Sequence, residues 1–401
     1  MTSNFPDLVS IIVPFFNEEK YIAECLDSLY KQTYCNLEIL CVDNGSTDNS
    51  ANIVQKASQR DARIQLLEAK GGFQGRARNK GLDVAQGAFI SFCDADDTMH
   101  PEMIAILVKT MHKHSADMVR CGHTNLFADG TKVEVLPPAF LKPVKGRIQH
   151  PALKSVLLKD LPLLVTTLSK RSLFEKGNIR FPENFSGEDQ TVKWLMIVNA
   201  SRIALCNKPM YRYRRFLETS SSEQTDRRML SIIDNYSKVG SYLFKHNLFE
   251  KYYNAFTLDR ASNIRHSYHK IDQELRRECK VKMLKALAEE QKTGLTPRNI
   301  ALDYHASWLI DELEIAPETL EALCKYVKSL KAPPIFKANL NDSQGCPASW
   351  SLFLYDLNRY ARRWPDVCAK LLKKVPANIR YAKHPLLSTK IQFKHWLSLL
   401  R

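Results

Sequence analysis

The stretch FISFCDADD, residues 89–97, runs an apolar segment directly into three carboxylates, Asp94, Asp96 and Asp97. Another acid, Asp43, closes the apolar run LEILCVD at 37–43, and a further acidic pair stands at Glu188-Asp189. Carboxylates gathered at one edge repel each other, and a cation usually offsets that repulsion. Hard oxygen ligands of this kind suit Mg²⁺ or Mn²⁺, with water and phosphate supplying most of the remaining coordination. Each cluster also has a plainer reading. Asp94-Ala95-Asp96-Asp97 and Glu188-Asp189 could be acids of a helix's first turn, where the backbone dipole favours negative charge.

The elements that must hold these acids are legible in the hydrophobic pattern. LVSIIVPFF (8–16) and LEILCVD (37–43) are apolar, β-rich runs of the kind buried on both sheet faces. RIQLLE (63–68) and AFISFCD (88–94) read as two more strands. Between them, residues 19–32 place Ile22, Cys25, Leu26 and Leu29 on one helical face. NGSTDNS (44–50) is a turn that opens a second helix, and QGRARNKGLDVA (74–85) reads as a third. Strands alternating with helices predict an α/β fold with a mostly parallel sheet. Ligands of such sheets sit at the carboxyl ends of the strands, which is where Asp43 and Asp94 fall.

Further along, DMVRCGHT (117–124) predicts a strand and FADGTKVEV (127–135) a hairpin around Asp129-Gly130. NFSGEDQTVKWLMIVNA turns at Gly187 into a helix with Trp194, Leu195 and Val198 inward. IALC (203–206) and YRYR (211–214) read as two short strands, the second with Tyr and Arg on opposite faces. After about residue 220 helical periodicity dominates, for instance in Leu320, Leu323, Tyr326, Val327 and Leu330. The expected division is an α/β domain over 1–220 and a mainly α-helical region over 221–401.

Four segments in this order, VSIIVPFFNEEKYIAECLDSLYKQTY, EILCVDNGSTDNS, GRARNKGLDVAQGAFISFCDADD and FSGEDQTVKWL, resemble glycosyltransferase family 2. The likeness covers roughly residues 8–220. It implies the GT-A fold, a Rossmann-like, mostly parallel sheet, and inverting transfer of a sugar from a nucleotide donor. By that resemblance Pro14, Phe16 and Glu18 line the nucleotide pocket, and Asp43 accepts a hydrogen bond from the uracil imide. Arg76 and Arg78 lie in the segment that reaches the nucleotide and its phosphates. Asp94, Ala95, Asp96 and Asp97 form the DxD region, whose Asp94, Asp96 and Asp97 hold a divalent metal, Mn²⁺ or Mg²⁺, on the diphosphate. Glu188 and Asp189 are the catalytic pair, with Asp189 as base. Tyr211 to Arg215, with Arg214 among them, match a segment that closes over the donor. One residue departs from the pattern: Asn44 stands where the family commonly has a second Asp.

Physical chemistry agrees with those roles. A cation neutralises charge as the glycosidic bond to a diphosphate breaks. A carboxylate near the acceptor hydroxyl takes its proton, and a single displacement inverts the anomeric centre without a second nucleophile. The donor expected is a UDP-sugar, and the acceptor a hydroxyl of a growing or lipid-linked glycan such as lipopolysaccharide or capsule. Two other readings compete. A nucleotidyltransferase would want a glycine-rich basic loop after the first strand, where this chain has PFFNEEKY. A non-catalytic nucleotide-sugar or glycan binder would not need Asp96, Asp97 and Asp189 together.

The totals bound the partners. Of 401 residues, 44% are hydrophobic and 25% charged, a soluble globular composition. The start MTSNFPDLVS has neither a basic nor an apolar leader region, and the ten cysteines lack CxxC spacing, so a cytoplasmic, reduced chain is expected. The formal net charge is +15, yet residues 359–401 carry eleven basic residues and one acidic one. That confinement argues against nucleic acid, since the crevice itself is acidic. Trp364, Leu371, Leu372, Phe393 and Trp396 interleave with those bases, which suits an interfacial helix on an anionic membrane. The expected location is the cytoplasmic face of the inner membrane. Anionic vesicles should sediment with the full chain and not with residues 1–358, and equal binding of both would refute the contact.

Overall fold

The structure is a computed structural model and describes residues 7–69, 71–137, 151–158, 164–183, 187–215, 225–279, 281–283 and 286. The helix expected around Leu320 to Leu330 and the basic tail at 359–401 lie outside the described residues, as does the 138–150 segment. Two compact units divide the chain. One takes in residues 1–259 and 263–279, and the other residues 260–262 and 280–401. Every described strand and every candidate site residue lies in the first.

The elements in chain order are β1 (Val9–Phe15), α1 (Ile22–Tyr30), β2 (Leu37–Asp43), α2 (Ser50–Arg60), β3 (Ile64–Glu68), α3 (Gln74–Val84) and β4 (Phe89–Phe92). After them come β5 (Thr98–Met99), α4 (Met103–His114), β6 (Met118–Leu126), β7 (Lys132–Val135), α5 (Pro151–Leu158), β8 (Thr167–Lys170) and α6 (Arg171–Lys176). The last are α7 (Glu188–Asn199), β9 (Ile203–Arg214), α8 (Ser231–Lys245) and α9 (Phe249–Lys270). Among the described residues one sheet forms in the order β3-β2-β1-β4-β8-β6-β9-β5, with β7 added against β6.

The left half of that sheet, β3-β2-β1-β4, is parallel, as the alternation of strands and helices predicts. Every residue of β1 and β2 is buried, so both faces are covered. The right half is mixed. β8 runs antiparallel to β4 and to β6, while β9 runs parallel to β6. IALC and YRYR prove to be one twelve-residue strand, β9, rather than two. Continuous pairing with β6, broken only by irregularities around Gly122, holds the strand together through Pro209.

Two glycines set close approaches that matter for the site. A Cβ on Gly81 would lie 2.5 Å from Ile12 Cγ2, so α3 sits directly on β1. Gly187 precedes α7 with φ +76, and a Cβ there would lie 2.2 Å from Ile232 Cδ1 of α8. α7 is then held by a buried polar network. Asp259 of α9 accepts from Trp194 Nε1 (2.6 Å) and Tyr236 OH (2.8 Å) and pairs with Lys193 Nζ at 3.3 Å. Asp259 and Lys193 are both buried, and a charge that deep persists only when paired and hydrogen-bonded. The helix that begins with Glu188-Asp189 is thereby anchored from behind.

Candidate active site

The parallel register brings the carboxyl ends of β1 and β2 level, with Phe15 opposite Asp43, and runs β4 alongside β1 with Ile12 opposite Phe92. The loops after these strands form one edge. The β1–α1 and β2–α2 loops are stitched together there. Asn17 takes a left-handed conformation (φ +55) and its Oδ1 accepts from Thr47 N–H at 2.8 Å. The backbone amides of Asn17 and Glu18 donate to Ser46 Oγ and Ser50 Oγ in return. Asp43 accepts from Ser46 N–H at 2.9 Å, which orders the turn it begins. Asn44 is buried, and its Oδ1 has no partner among the described residues.

The centre of the edge is Arg78, on the buried face of α3 with 3% of its side chain exposed. Its Nη2 donates to Asp94 Oδ1 at 2.9 Å, and its Nη1 to Asp189 Oδ1 at 2.9 Å and Glu188 Oε1 at 3.3 Å. Burial works against the guanidinium charge, but Asp189, Asp94 and Glu188 outweigh it and hold the group protonated. Burial raises Glu188 and Asp189 above the usual carboxylate range, and Arg78 opposes that rise in each. Asp189 keeps 31% of its side chain exposed and Glu188 11%, so Asp189 is the more accessible of the pair.

The three acids of the 94–97 loop have different surroundings. Asp94 joins Arg78. Asp97 is 1% exposed and faces β9, accepting from Arg214 N–H at 2.7 Å and Tyr211 OH at 2.9 Å. Asp96 belongs to neither pair. Burial and the Asp94 charge push it up to about 6, against its own backbone amide and Arg214. Glu18 is pushed up to about 7 by burial and then by Asp96, Asp94 and Asp48. Carboxylates raised by each other's charge are a donor set that a hard divalent cation would relieve. Among the described residues no three His, Cys, Asp or Glu side chains form a ready-made cation cage.

The remaining candidates separate. Pro14 is buried inside β1, Phe16 is 52% exposed at the strand end, and Ala95 is buried. Arg76 pairs with Glu183 (2.9 Å) and donates to the Gly71 carbonyl (2.9 Å). Arg214 donates to the Asp96 carbonyl at 2.8 Å, pairs with Glu24 at 2.9 Å and lies over Tyr21. Sequence reasoning did not anticipate that Arg78 is committed to carboxylates. The signal was available: Arg78 shares the α3 face of Ala77, Gly81 and Leu82, an apolar stripe where a cation needs buried anions. Nor did it foresee Tyr211 as partner of Asp97, which depends on β5 pairing with β9.

The half-parallel sheet with acids crowded at one strand edge fits the GT-A fold expected from the four sequence segments. The comparisons agree. The family described as Glycosyl transferase family 2 matches residues 10–165. GlyG, a glycosyltransferase of Streptococcus pneumoniae, is 31% identical over 225 residues, 52% of this chain and 71% of GlyG. EpsJ of Bacillus subtilis, an uncharacterized glycosyltransferase, is 32% identical over 215 residues, and the match spans 61% of EpsJ's own length. TarS residues 1–349 of Staphylococcus aureus superpose with a TM-score of 0.54 at 22% identity, covering 76% of this chain and 88% of that one. The same TarS fragment in complex with UDP-GlcNAc gives 0.51 at 20% identity, covering 72% of this chain and 92% of that one. This chain belongs to glycosyltransferase family 2.

Asp96 and Glu18 titrate in the folded chain above their ordinary values of 3.8 and 4.5. The folded state therefore binds more protons than the unfolded one between about pH 4 and 7, and stability falls as pH rises through that window. Asp96→Asn removes one of the crowded charges. Its melting temperature should exceed the parent's at pH 8 by roughly 2 °C for each kcal/mol released, and match it near pH 4. Thermal unfolding at the two pH values checks this, and a lower melting point at pH 8 would contradict it.

Proposed function

We propose that this chain is an inverting glycosyltransferase that moves a sugar from a UDP-sugar to a hydroxyl of a growing surface glycan. The observation that carries the reading is the meeting of Asp94, Glu188 and Asp189 on one buried guanidinium, beside the crowded Asp96 and Glu18. Family membership and the fold it shares with TarS, whose fragment was solved in complex with UDP-GlcNAc, support it.

In this mechanism Asp43 and the β1–α1 loop with Phe16 receive the nucleoside. Asp96, assisted by Asp94, would hold a divalent cation, Mn²⁺ or Mg²⁺. When bound, that ion supplies charge neutralisation for the departing diphosphate. Asp189 accepts the proton of the acceptor hydroxyl. The hydroxyl oxygen bonds to the anomeric carbon as the bond from that carbon to the phosphate oxygen breaks, and the nucleoside diphosphate leaves with that electron pair. One displacement inverts the centre. Asp97 keeps the loop on β9 rather than binding the ion. Among the described residues no helix is long and apolar enough to cross a membrane. The reading includes a lipid-linked or polymeric acceptor, such as lipopolysaccharide or capsule, at the cytoplasmic membrane face.

A panel of UDP-sugars, UDP-GlcNAc among them, tests the reaction with water standing in for the acceptor. UDP release should occur from one sugar and should need Mn²⁺ or Mg²⁺. Asp189→Ala should lower it about 10²–10³-fold while UDP still binds, as expected for loss of a general base. No release from any sugar, together with no UDP binding by calorimetry, would refute the proposal.

A further inference from the structure

Arg78 falls in the segment expected to reach the donor phosphates, yet its donors are directed elsewhere. Nη2 serves Asp94 and Nη1 serves Asp189 and Glu188, while Nε is buried without a partner among the described residues. Three of the five N–H donors of the guanidinium thus reach carboxylates on two other elements. Those elements are remote in sequence: Asp94 lies 16 residues away and Asp189 lies 111. Beneath it, 5.3 Å from its carbon, is the Phe181 ring, which fixes the plane of the fork. α3 can bring the side chain in because Gly81 lets the helix rest on Ile12.

We infer that Arg78 is a positioning residue for sugar transfer, bridging the base Asp189 to the donor-side Asp94 and so fixing the base carboxylate relative to the bond that breaks. The inference rests on the function proposed above. It departs from a phosphate-binding role, since both Nη groups already hold carboxylates. The planar fork is essential: it presents parallel donors to two acids at once, whereas a lysine ammonium keeps the charge and is a single point. With Lys at 78 the base stays beside a cation but is no longer tied to the donor side. A displacement of about 1 Å at a reacting group is enough to cost on the order of 10²-fold in rate.

The test is a double-mutant cycle on the full chain, read as UDP release from the active UDP-sugar, with UDP affinity by calorimetry. Arg78→Lys should lower release about 10²-fold while the UDP Kd stays within about threefold. In the Asp189→Ala background the same change should cost less than about threefold, because a group acting through Asp189 has nothing left to position. A loss of equal size in both backgrounds, or no loss in either, would overturn the inference while leaving the proposed reaction intact. Absence of both UDP binding and release in the parent chain would instead overturn the two together. Should Arg78→Lys not fold, Phe181→Leu unpins the fork while keeping all four charges. Its loss of release should likewise vanish with Asp189→Ala, and persistence of that loss would overturn the inference.

Discussion

One buried cation governs this edge of the sheet. Arg78 is almost fully removed from water and lies against three carboxylates drawn from the β4 loop and the start of α7. Neither side of that cluster is stable alone. Removing one partner of a buried ion pair commonly costs about 3–5 kcal/mol, because the stranded charge cannot recover its hydration. The fold supplies the geometry through small residues. Gly81 lets α3 lie on Ile12, and Gly187 turns the chain sharply against Ile232 so that α7 begins with its acids facing the crevice. Behind them, Asp259 locks Lys193 and Trp194 of the same helix.

The second constraint is unresolved repulsion. Asp94 is paired with Arg78, and Asp97 accepts hydrogen bonds from β9 yet is still pushed well above the ordinary range by burial and by the Asp96 and Asp94 charges. Among the described residues no cation forms a salt bridge with Glu18 or Asp96, and both are pushed well above ordinary carboxylates. The stitched β1–α1 and β2–α2 loops hold Glu18 in place through backbone bonds, so it cannot simply swing away. An edge that concentrates negative charge on a rigid frame fits the cation, and with it the anionic ligand, of the proposed function.

Much of this was readable in the amino-acid pattern. The apolar runs ending in Asp43 and at Asp94 predicted parallel strands and put the acids at one edge, because strands buried on both faces leave little ambiguity. Glu188-Asp189 was readable as a helix start from Gly187. The mixed half of the sheet was not, since β8 is only four residues and its antiparallel pairing with β4 depends on tertiary contact. β9 was divided in two because the polar Asn207-Lys208-Pro209 segment breaks the local pattern, and pairing with β6 overrides it. The roles of Arg78 and Tyr211 were hidden for the same reason. Their partners lie 111 and 114 residues away, and no local rule reports such distances.

The central claim is that the Asp96 crevice takes a divalent cation together with a nucleoside diphosphate. Electron paramagnetic resonance of free Mn²⁺, titrated with the full chain with and without UDP, measures it directly. Mn²⁺ should bind more tightly when UDP is present, and Asp96→Asn should abolish that enhancement. Mn²⁺ binding indifferent both to UDP and to Asp96 would contradict the account.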